Sequence, residues 1–423
     1  MMAAPAIRGQ GRIMDATKTA AGSQLGEREL IAMMALVMSL QAFGIDAMLP
    51  ALGAIAHDLG APGNGRQLVI AAYLLGSGVG ALLPGVLADR FGRRPVLAFG
   101  IIFYFVMAIA CSMATQFSVL VVMRALQGLG SAGLSVLPAA IVRDRVGGDR
   151  MARLMSLIMM TFLVVPLIAP AIGQFILAAA GWRAIFHGMA VVCVMVGIWV
   201  WMRLPETLAP EHRQPMAPKM IAANMVQGVS DRGALGYILG SALVFGALFG
   251  FINSSQQLID ETFGMGESFA LIFAAIVVGM VVTNFTNSRI VERFGARRVS
   301  HAALLGAIII GGAQVFSASQ ADQTLWQFLP LMAVNMALLG FIGANFGSIA
   351  MQPFQHIAGS ASSGQTFVRM MTSALLGGGI GQAFDGTAWP LAMAFLLCGL
   401  LALALVLWSE RGKLFRQPTA RFH

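Results

Sequence analysis

The chain has 423 residues, of which 58% are hydrophobic and only 11% charged, against about 25% charged in soluble domains. A mean hydropathy of +0.79 excludes an ordinary soluble domain, and recurring apolar runs of about 20 residues match the helix length that crosses a bilayer. The net charge of +9 does not point to nucleic acid, because the basic residues sit in short loops between apolar segments, as in the cytoplasmic loops of membrane proteins.

Residues 1–28 are Gly/Ala-rich and polar, with no apolar core of a signal peptide, and are expected to form a disordered cytoplasmic tail. Twelve spans follow, at 30–52, 67–87, 96–114, 117–141, 154–178, 184–203, 233–256, 268–288, 299–317, 326–350, 362–383 and 389–408. No stretch alternates as a β-strand does, so the expected class is an all-α membrane protein. The longest hydrophilic interval follows span 6. It divides the chain into an N-terminal six-helix half (29–204), a cytoplasmic linker (205–232), a C-terminal six-helix half (233–409) and a cytoplasmic tail (410–423).

Placing both termini inside puts all but four of the 27 basic residues on the cytoplasmic side. The exceptions are Arg66 and Arg183 in outer loops, and Arg124 and Arg369 within spans. The outer loops hold Asp58, Asp260, Glu261, Glu267, Asp322 and Asp385. Cys111, Cys193 and Cys398 lie in apolar segments and imply neither disulfide nor metal, and the six His residues show no metal-ligand spacing. There is no phosphate-binding loop, dinucleotide fingerprint or nucleophile elbow, so neither nucleotide-driven transport nor soluble-type enzyme catalysis is supported.

Asp46 stands out in span 1, inside MMALVMSLQAFGIDAMLPAL. A carboxylate at membrane depth costs roughly 2.5–3.5 kcal/mol on insertion scales and marks a functional site by default. Arg124, in span 4, lies at comparable depth: at ~1.5 Å per residue both sit about 10 Å below the outer boundary. A carboxylate balanced between desolvation, which favours the neutral form, and a nearby guanidinium, which favours the charged one, can take up and release a proton. Two other roles remain open: a static ion pair, or an Arg124 that serves by reaching backbone carbonyls across helices. Pro166 and Pro170 each remove a helix hydrogen bond and are expected to bend span 5. Arg369 lies in span 11 near enough to the cytoplasmic side to snorkel. Asn253, Asn284, Asn335, Asn345 and Gln365 are polar positions of the C-half spans, divided between cavity lining and helix–helix contacts. Phe43, Tyr73 and Phe162, with some of the 28 Met residues, offer a soft apolar pocket.

The loop after span 2, GVLADRFGRRPV (85–96), recurs after span 8 as SRIVERFGARRV (288–299), an offset of 203 residues. Asp89 matches Glu292, Arg90 matches Arg293, Gly92 matches Gly295 and Arg94 matches Arg297. Two parallel six-helix repeats are the arrangement of major facilitator transporters. The first loop fits that superfamily's pattern G-x-L-x-D-R-x-G-R-R, and the sequence resembles it. RALQGLG (124–130) is similar to the span-4 motif of proton-coupled members, and VPLIAPAIGQ (165–174) to the span-5 antiporter motif, with Ala169 and Gln174 where many antiporters carry Gly. IDAMLPAL, IVRDR, GWRAIF, LPETL, PFQHIAGSASS and FDGTAWPLA resemble the drug/proton antiporters of the Bcr/CflA type.

The resemblance implies a major facilitator fold of twelve transmembrane helices in two pseudo-symmetric halves. It also implies export of amphipathic, drug-like small molecules in exchange for protons across a bacterial-type inner membrane, by a functional monomer that needs a proton gradient and no cofactor. Asp46 and Arg124 would couple protons. Gly85, Asp89, Arg90, Gly92, Arg93 and Arg94 would latch the halves in the outward-open state. Gly85 would allow close helix approach, Gly92 a turn at positive φ, and Asp89 would face a helix N-terminus of the other half. Pro166, Pro170 and Gly173 would form an interface, with Gly173 admitting a helix of the other half. Phe43, Tyr73, Phe162, Asn253, Asn345 and Arg369 would line the substrate cavity. The alternatives are proton-coupled export or uptake of an endogenous metabolite, and a transporter-like sensor or membrane enzyme.

Overall fold

The computed structural model describes residues 25–146, 148–162, 164–209, 211, 218–320 and 322–415. Most of the two expected terminal tails therefore lies outside the described residues. Within them the chain is helical, without strands.

In the N-terminal half, α1 (Glu27–Asp46) passes through a 3₁₀ turn at Leu49–Ala51 into α2 (Leu52–Leu59). Next come α3 (Leu68–Gly80), α4 (Pro84–Phe91), α5 (Arg93–Ser112), α6 (Phe117–Arg145), α7 (Gly148–Phe162), α8 (Val165–Ala180) and α9 (Trp182–Arg203). The C-terminal half comprises α11 (Arg232–Gln257), α12 (Phe269–Phe294), α13 (Ala296–Ala318), α14 (Leu325–Met351), α15 (Ala358–Gln382) and α16 (Trp389–Ser409). Between the halves the linker carries α10 (Pro218–Ser230), a helix the hydrophilic composition did not suggest.

Each expected span has a helix or helix pair, and two are broken where proline starts a new segment. Pro84 opens α4, which bends 43° from the segment containing α3. Pro166 falls in the first turn of α8, where its missing N–H costs no hydrogen bond, while Pro170 lies inside the helix. Among the described residues ten helices are long and apolar enough to cross a membrane, or eleven if the bent α3–α4 pair counts as one. The remaining expected span, span 11 at 362–383, forms helix α15 but is not in that set. Its sequence mixes Gly, Ser, Thr and Gln with Arg369. It packs between α11 and α3, and α10 lies along it, where a Cβ on Gly228 would meet Ala361.

Each charged loop of the repeat is held by ion pairs within its own half, through non-equivalent residues. In the N-terminal half, Arg93 pairs with Asp144 (2.8 Å) and Asp89 (2.6 Å). In the C-terminal half, Arg297 pairs with Glu410 at 2.7 Å, and Tyr237 donates to the same carboxylate, also at 2.7 Å. His301 accepts at Nδ1 from the N–H of Phe415, which leaves its proton on Nε2, 3.0 Å from the Tyr237 hydroxyl. Burial opposes charge on Glu410, but the hydrogen bonds from Arg297 and Tyr237 prevail and hold its carboxyl below the usual range. A depressed carboxylate contributes stability that is present above its unfolded value and lost as pH falls through the folded one. Glu410→Gln should therefore lower Tm in detergent at neutral pH, and the gap to wild type should close on acidification. A gap independent of pH would show that packing rather than charge is lost.

Candidate substrate and proton site

The centre of the N-terminal half is organised by the end of α1. The helix stops at Asp46, and the N–H of Met48 bonds the Ile45 carbonyl at 3.2 Å instead of the Gly44 carbonyl four residues back. That leaves the Gly44 oxygen as one of the orphan acceptors of a helix C-terminus. Arg124, fully buried on α6, takes it: Nη2 donates to Gly44 O at 2.8 Å. Nε donates to Val69 O (3.1 Å) on α3 and Nη1 to Gln127 Oε1 (2.7 Å). The Tyr73 ring lies 4.4 Å and the Phe186 ring 5.9 Å from the guanidinium. Gly44 also makes room for two hydroxyls: Tyr73 donates to Gln41 O and Tyr104 to Leu40 O, and an added Cβ would lie 2.7 Å from the Tyr104 oxygen.

Asp46 is 5% exposed and, among the described residues, has no hydrogen bond and no ion pair. The expected Asp46–Arg124 pair is not formed. The guanidinium fork finds one carbonyl oxygen at the helix break, Gly44 O, two residues short of the carboxylate, and another on α3, so the second of the alternative roles for Arg124 is the one observed.

The span-5 motif works differently from its expected form. Gly173 faces the same half, not the other: a Cβ there would collide with the Ala47 carbonyl, next to Asp46. It is Gln174, the departure from the motif, that crosses. Its Nε2 donates to Glu267 O (2.7 Å) and Gly266 O (3.4 Å), and its Oε1 accepts from the N–H of Ala270 (3.2 Å) at the start of α12.

Gln174 belongs to a seam at the end assigned to the outside by the charge pattern. Asn64 Nδ2 donates to Gln382 O (3.0 Å) and Phe384 O (2.8 Å), and Gln382 Nε2 returns a bond to Asn64 O (2.8 Å). Gln67 donates to Gln257 (3.0 Å), and Arg66 pairs with Glu261 and bonds Gln256. Every hydrogen bond between the halves, among the described residues, lies in this seam. Arg183, the other basic residue expected outside, pairs with Asp58 at 2.6 Å.

At the opposite end, Asp89 pairs with Arg93 of its own half and reaches no group of the other half among the described residues. Gly92 has φ +103°, as expected for its turn, and the space a side chain would fill is taken by Glu206. That carboxylate accepts from the N–H groups of Arg93 (2.9 Å) and Arg94 (3.2 Å), capping α5. Arg94 donates to Trp201 O (2.6 Å) and stacks on the indole, and exposed Arg90 lies over Phe91. Nothing lies within 4 Å of a Cβ built on Gly85, so the expected close approach there is absent. Glu206 was not singled out from sequence. Its signal is the repeat itself, since Glu410 stands 204 residues later and serves the equivalent loop.

Of the expected cavity residues, Tyr73 is fully buried against Arg124. Asn345 bonds Asn287 (2.9 Å) and so joins α14 to α12. Asn253 is buried in the outer seam with both amide atoms unpartnered among the described residues. Phe43 and Phe162 are partly buried against the core. Arg369 alone of the six lines a described cavity, of about 120 Å³, between α11, α14 and α15.

Residues 34–375 match the family model of the Major Facilitator Superfamily. The chain belongs to this superfamily. It is 27% identical over 365 residues to a bicyclomycin resistance protein homolog of Haemophilus influenzae, covering 86% of this chain and 92% of the relative. It is 30% identical over 340 residues to the multidrug resistance protein MdtL of Klebsiella pneumoniae, covering 79% and 84%. In fold it matches a D-xylose–proton symporter with a TM-score of 0.71 at 16% identity, over 92% of this chain and all of that one. A bacterial homolog of the human lysosomal transporter Spinster matches at 0.68, with 15% identity over 94% and 100%. The chain is thus a multi-pass membrane transporter, not an enzyme.

The two adjacent span-5 residues should separate experimentally. Gly173→Ala drives a methyl into a backbone carbonyl and should reduce both folded yield and transport, overpacking costing typically 1–3 kcal/mol. Gln174→Leu removes only the cross-half bonds. It should leave folding intact and increase labelling of cysteines placed in the outer half of α3. Unchanged labelling would remove Gln174 from the seal.

Proposed function

We propose that this superfamily member exports amphipathic, drug-like molecules in exchange for protons across a bacterial-type inner membrane, with both termini cytoplasmic and each monomer a complete transporter. The observation that carries the proposal is Asp46: a buried carboxylate with no fixed partner at the break of a spanning helix. A charge at that depth without a partner is costly, and taking up a proton removes the cost. The relatives named for bicyclomycin and multidrug resistance support drug-like cargo. A proton entering down 100 mV supplies about 2.3 kcal/mol, so the gradient suffices and no cofactor is required.

The geometry also supports a route from proton to gate. Asp46 is bonded to Ala47, Ala47 packs on Gly173, and Gln174 holds α12 across the outer seam. A change at Asp46 that shifts the Ala47 carbonyl presses directly on the residue beside the seal. Arg124 serves in this account as a positioning residue. It fixes the open end of α1 through Gly44 O, and its charge is not required on Asp46 itself.

The test is reconstitution with an imposed proton gradient. Asp46→Asn should abolish uphill export of a panel of drug-like compounds while leaving their binding measurable. Uphill accumulation at the wild-type rate would refute the assignment, and proton-linked flux of metabolites but not drugs would refute the cargo. Arg124→Lys keeps the charge but lacks the fork that reaches three acceptors, and should be nearly as impaired as Arg124→Ala. Full activity of the Lys variant would contradict the positioning role.

A further inference from the structure

Two arginines lie within spans among the described residues, and their surroundings are opposite. Arg124 donates to three acceptors. Arg369 donates to none among the described residues: its Nε is sealed from solvent without a partner, and it has no ion pair. The half-buried guanidinium lies over the Phe245 ring, 5.2 Å from the centroid, at the wall of the cavity between α11, α14 and α15. The cavity, about 120 Å³, far exceeds the ~10–15 Å³ that one water needs.

The lining fits one charge sign. Ser241, Ser362 and Thr366 bring hydroxyls, Ile238 and Met351 bring apolar surface, and no carboxylate lines the space. Gln365 spends its amide hydrogens on Gly228 O and Ala350 O, both at 3.1 Å, so it presents only its oxygen. Ser241 donates to Ile238 O. The donors left for a ligand are therefore the Arg369 fork and the hydroxyls of Ser362 and Thr366. A guanidinium fork in such a place pairs with a planar or tetrahedral oxyanion by two parallel hydrogen bonds.

We propose that Arg369 is the anion-binding subsite of the substrate cavity, and that this transporter takes amphipathic organic anions or zwitterions, whose carboxylate, sulfonate or phosphate group docks on Arg369 while the apolar part lies toward Phe245, Ile238 and Met351. The inference rests on the export reading for its role in transport, but the charge preference of the site is testable at equilibrium without a proton gradient.

The experiment uses purified full-length protein in neutral detergent with two probes of one shape, 2-naphthoate and 2-naphthamide, titrated calorimetrically without any gradient. Wild type should bind the carboxylate more tightly than the amide, and Arg369→Ala should erase that preference by about tenfold to a hundredfold, the range for a charged hydrogen bond. Arg369→Lys, which keeps the charge should the Ala variant fold poorly, should retain part of it. The preference is read at equilibrium without a gradient and uphill export is read with one, so failure of this proposal and failure of proton-coupled export are separate outcomes. Equal affinity of wild type for the two probes, or a preference that survives in either Arg369 variant at full strength, overturns the proposal. So does displacement of the naphthoate by phosphatidylglycerol added to the micelles, which would assign the fork to a lipid headgroup.

Discussion

The organising constraint in this protein is the broken end of α1. A helix that stops within the bilayer leaves carbonyl oxygens without partners, and in an apolar medium each must be satisfied by protein. Here the Gly44 oxygen is satisfied by Arg124, a residue from another helix that also bonds α3. Tyr73 and Tyr104 add hydroxyls to carbonyls about one turn earlier, and Gly44 leaves the space that admits them. α1, α3, α5 and α6 are thus tied at one level by polar contacts to a single helix terminus. Asp46 is the last residue of that helix and the one polar group there that the network does not engage, which makes it available for chemistry.

The same break explains how the halves are coupled. Just past Asp46 the chain presents the Ala47 carbonyl to Gly173, and the next residue of α8 holds the start of α12. The outer seam is built largely of amides, Asn64, Gln67, Gln174, Gln257 and Gln382, with one ion pair, Arg66–Glu261. Amide bonds exchange readily for water, so such a seam can open without stranding a charge. At the other end the loop at 85–96 is satisfied within its own half: Arg93 neutralises Asp89 and Asp144, and Glu206 caps α5. A latch so engaged internally agrees with halves whose hydrogen bonds to one another, among the described residues, all lie at the outer end. To serve as a cross-half latch, Asp89 would have to exchange Arg93 for a partner on the other half.

Much of the architecture was legible in the sequence because bilayer thickness forces length and hydrophobicity together. The repeat at an offset of 203 residues located the halves, and the spans fell where apolar runs of about 20 residues lay. Less legible was anything that depends on backbone acceptors. Two opposite charges at one depth suggest a pair, yet Arg124 goes to a carbonyl of α3 and to one exposed by a helix break that composition does not reveal. Gln174 looked like a weakened motif because only its identity was visible, not the peptide groups of Gly266, Glu267 and Ala270 that face it. Helix α10 was hidden because the linker is polar on average, while its contacts are made by small residues, Gly228 on Ala361. Arg369 was assigned to the cavity, but its lack of a hydrogen-bond acceptor among the described residues emerged only once its neighbours were in place.

The central claim is that Asp46, unpartnered at the end of α1, carries the proton that export consumes. The most direct measurement is the proton balance of ligand binding, from titration calorimetry of purified protein in buffers of different ionisation enthalpy, with a compound that the wild type exports. Wild type should release protons on binding and Asp46→Asn should bind with none released. The same proton release from both proteins would contradict the account and move the proton site elsewhere.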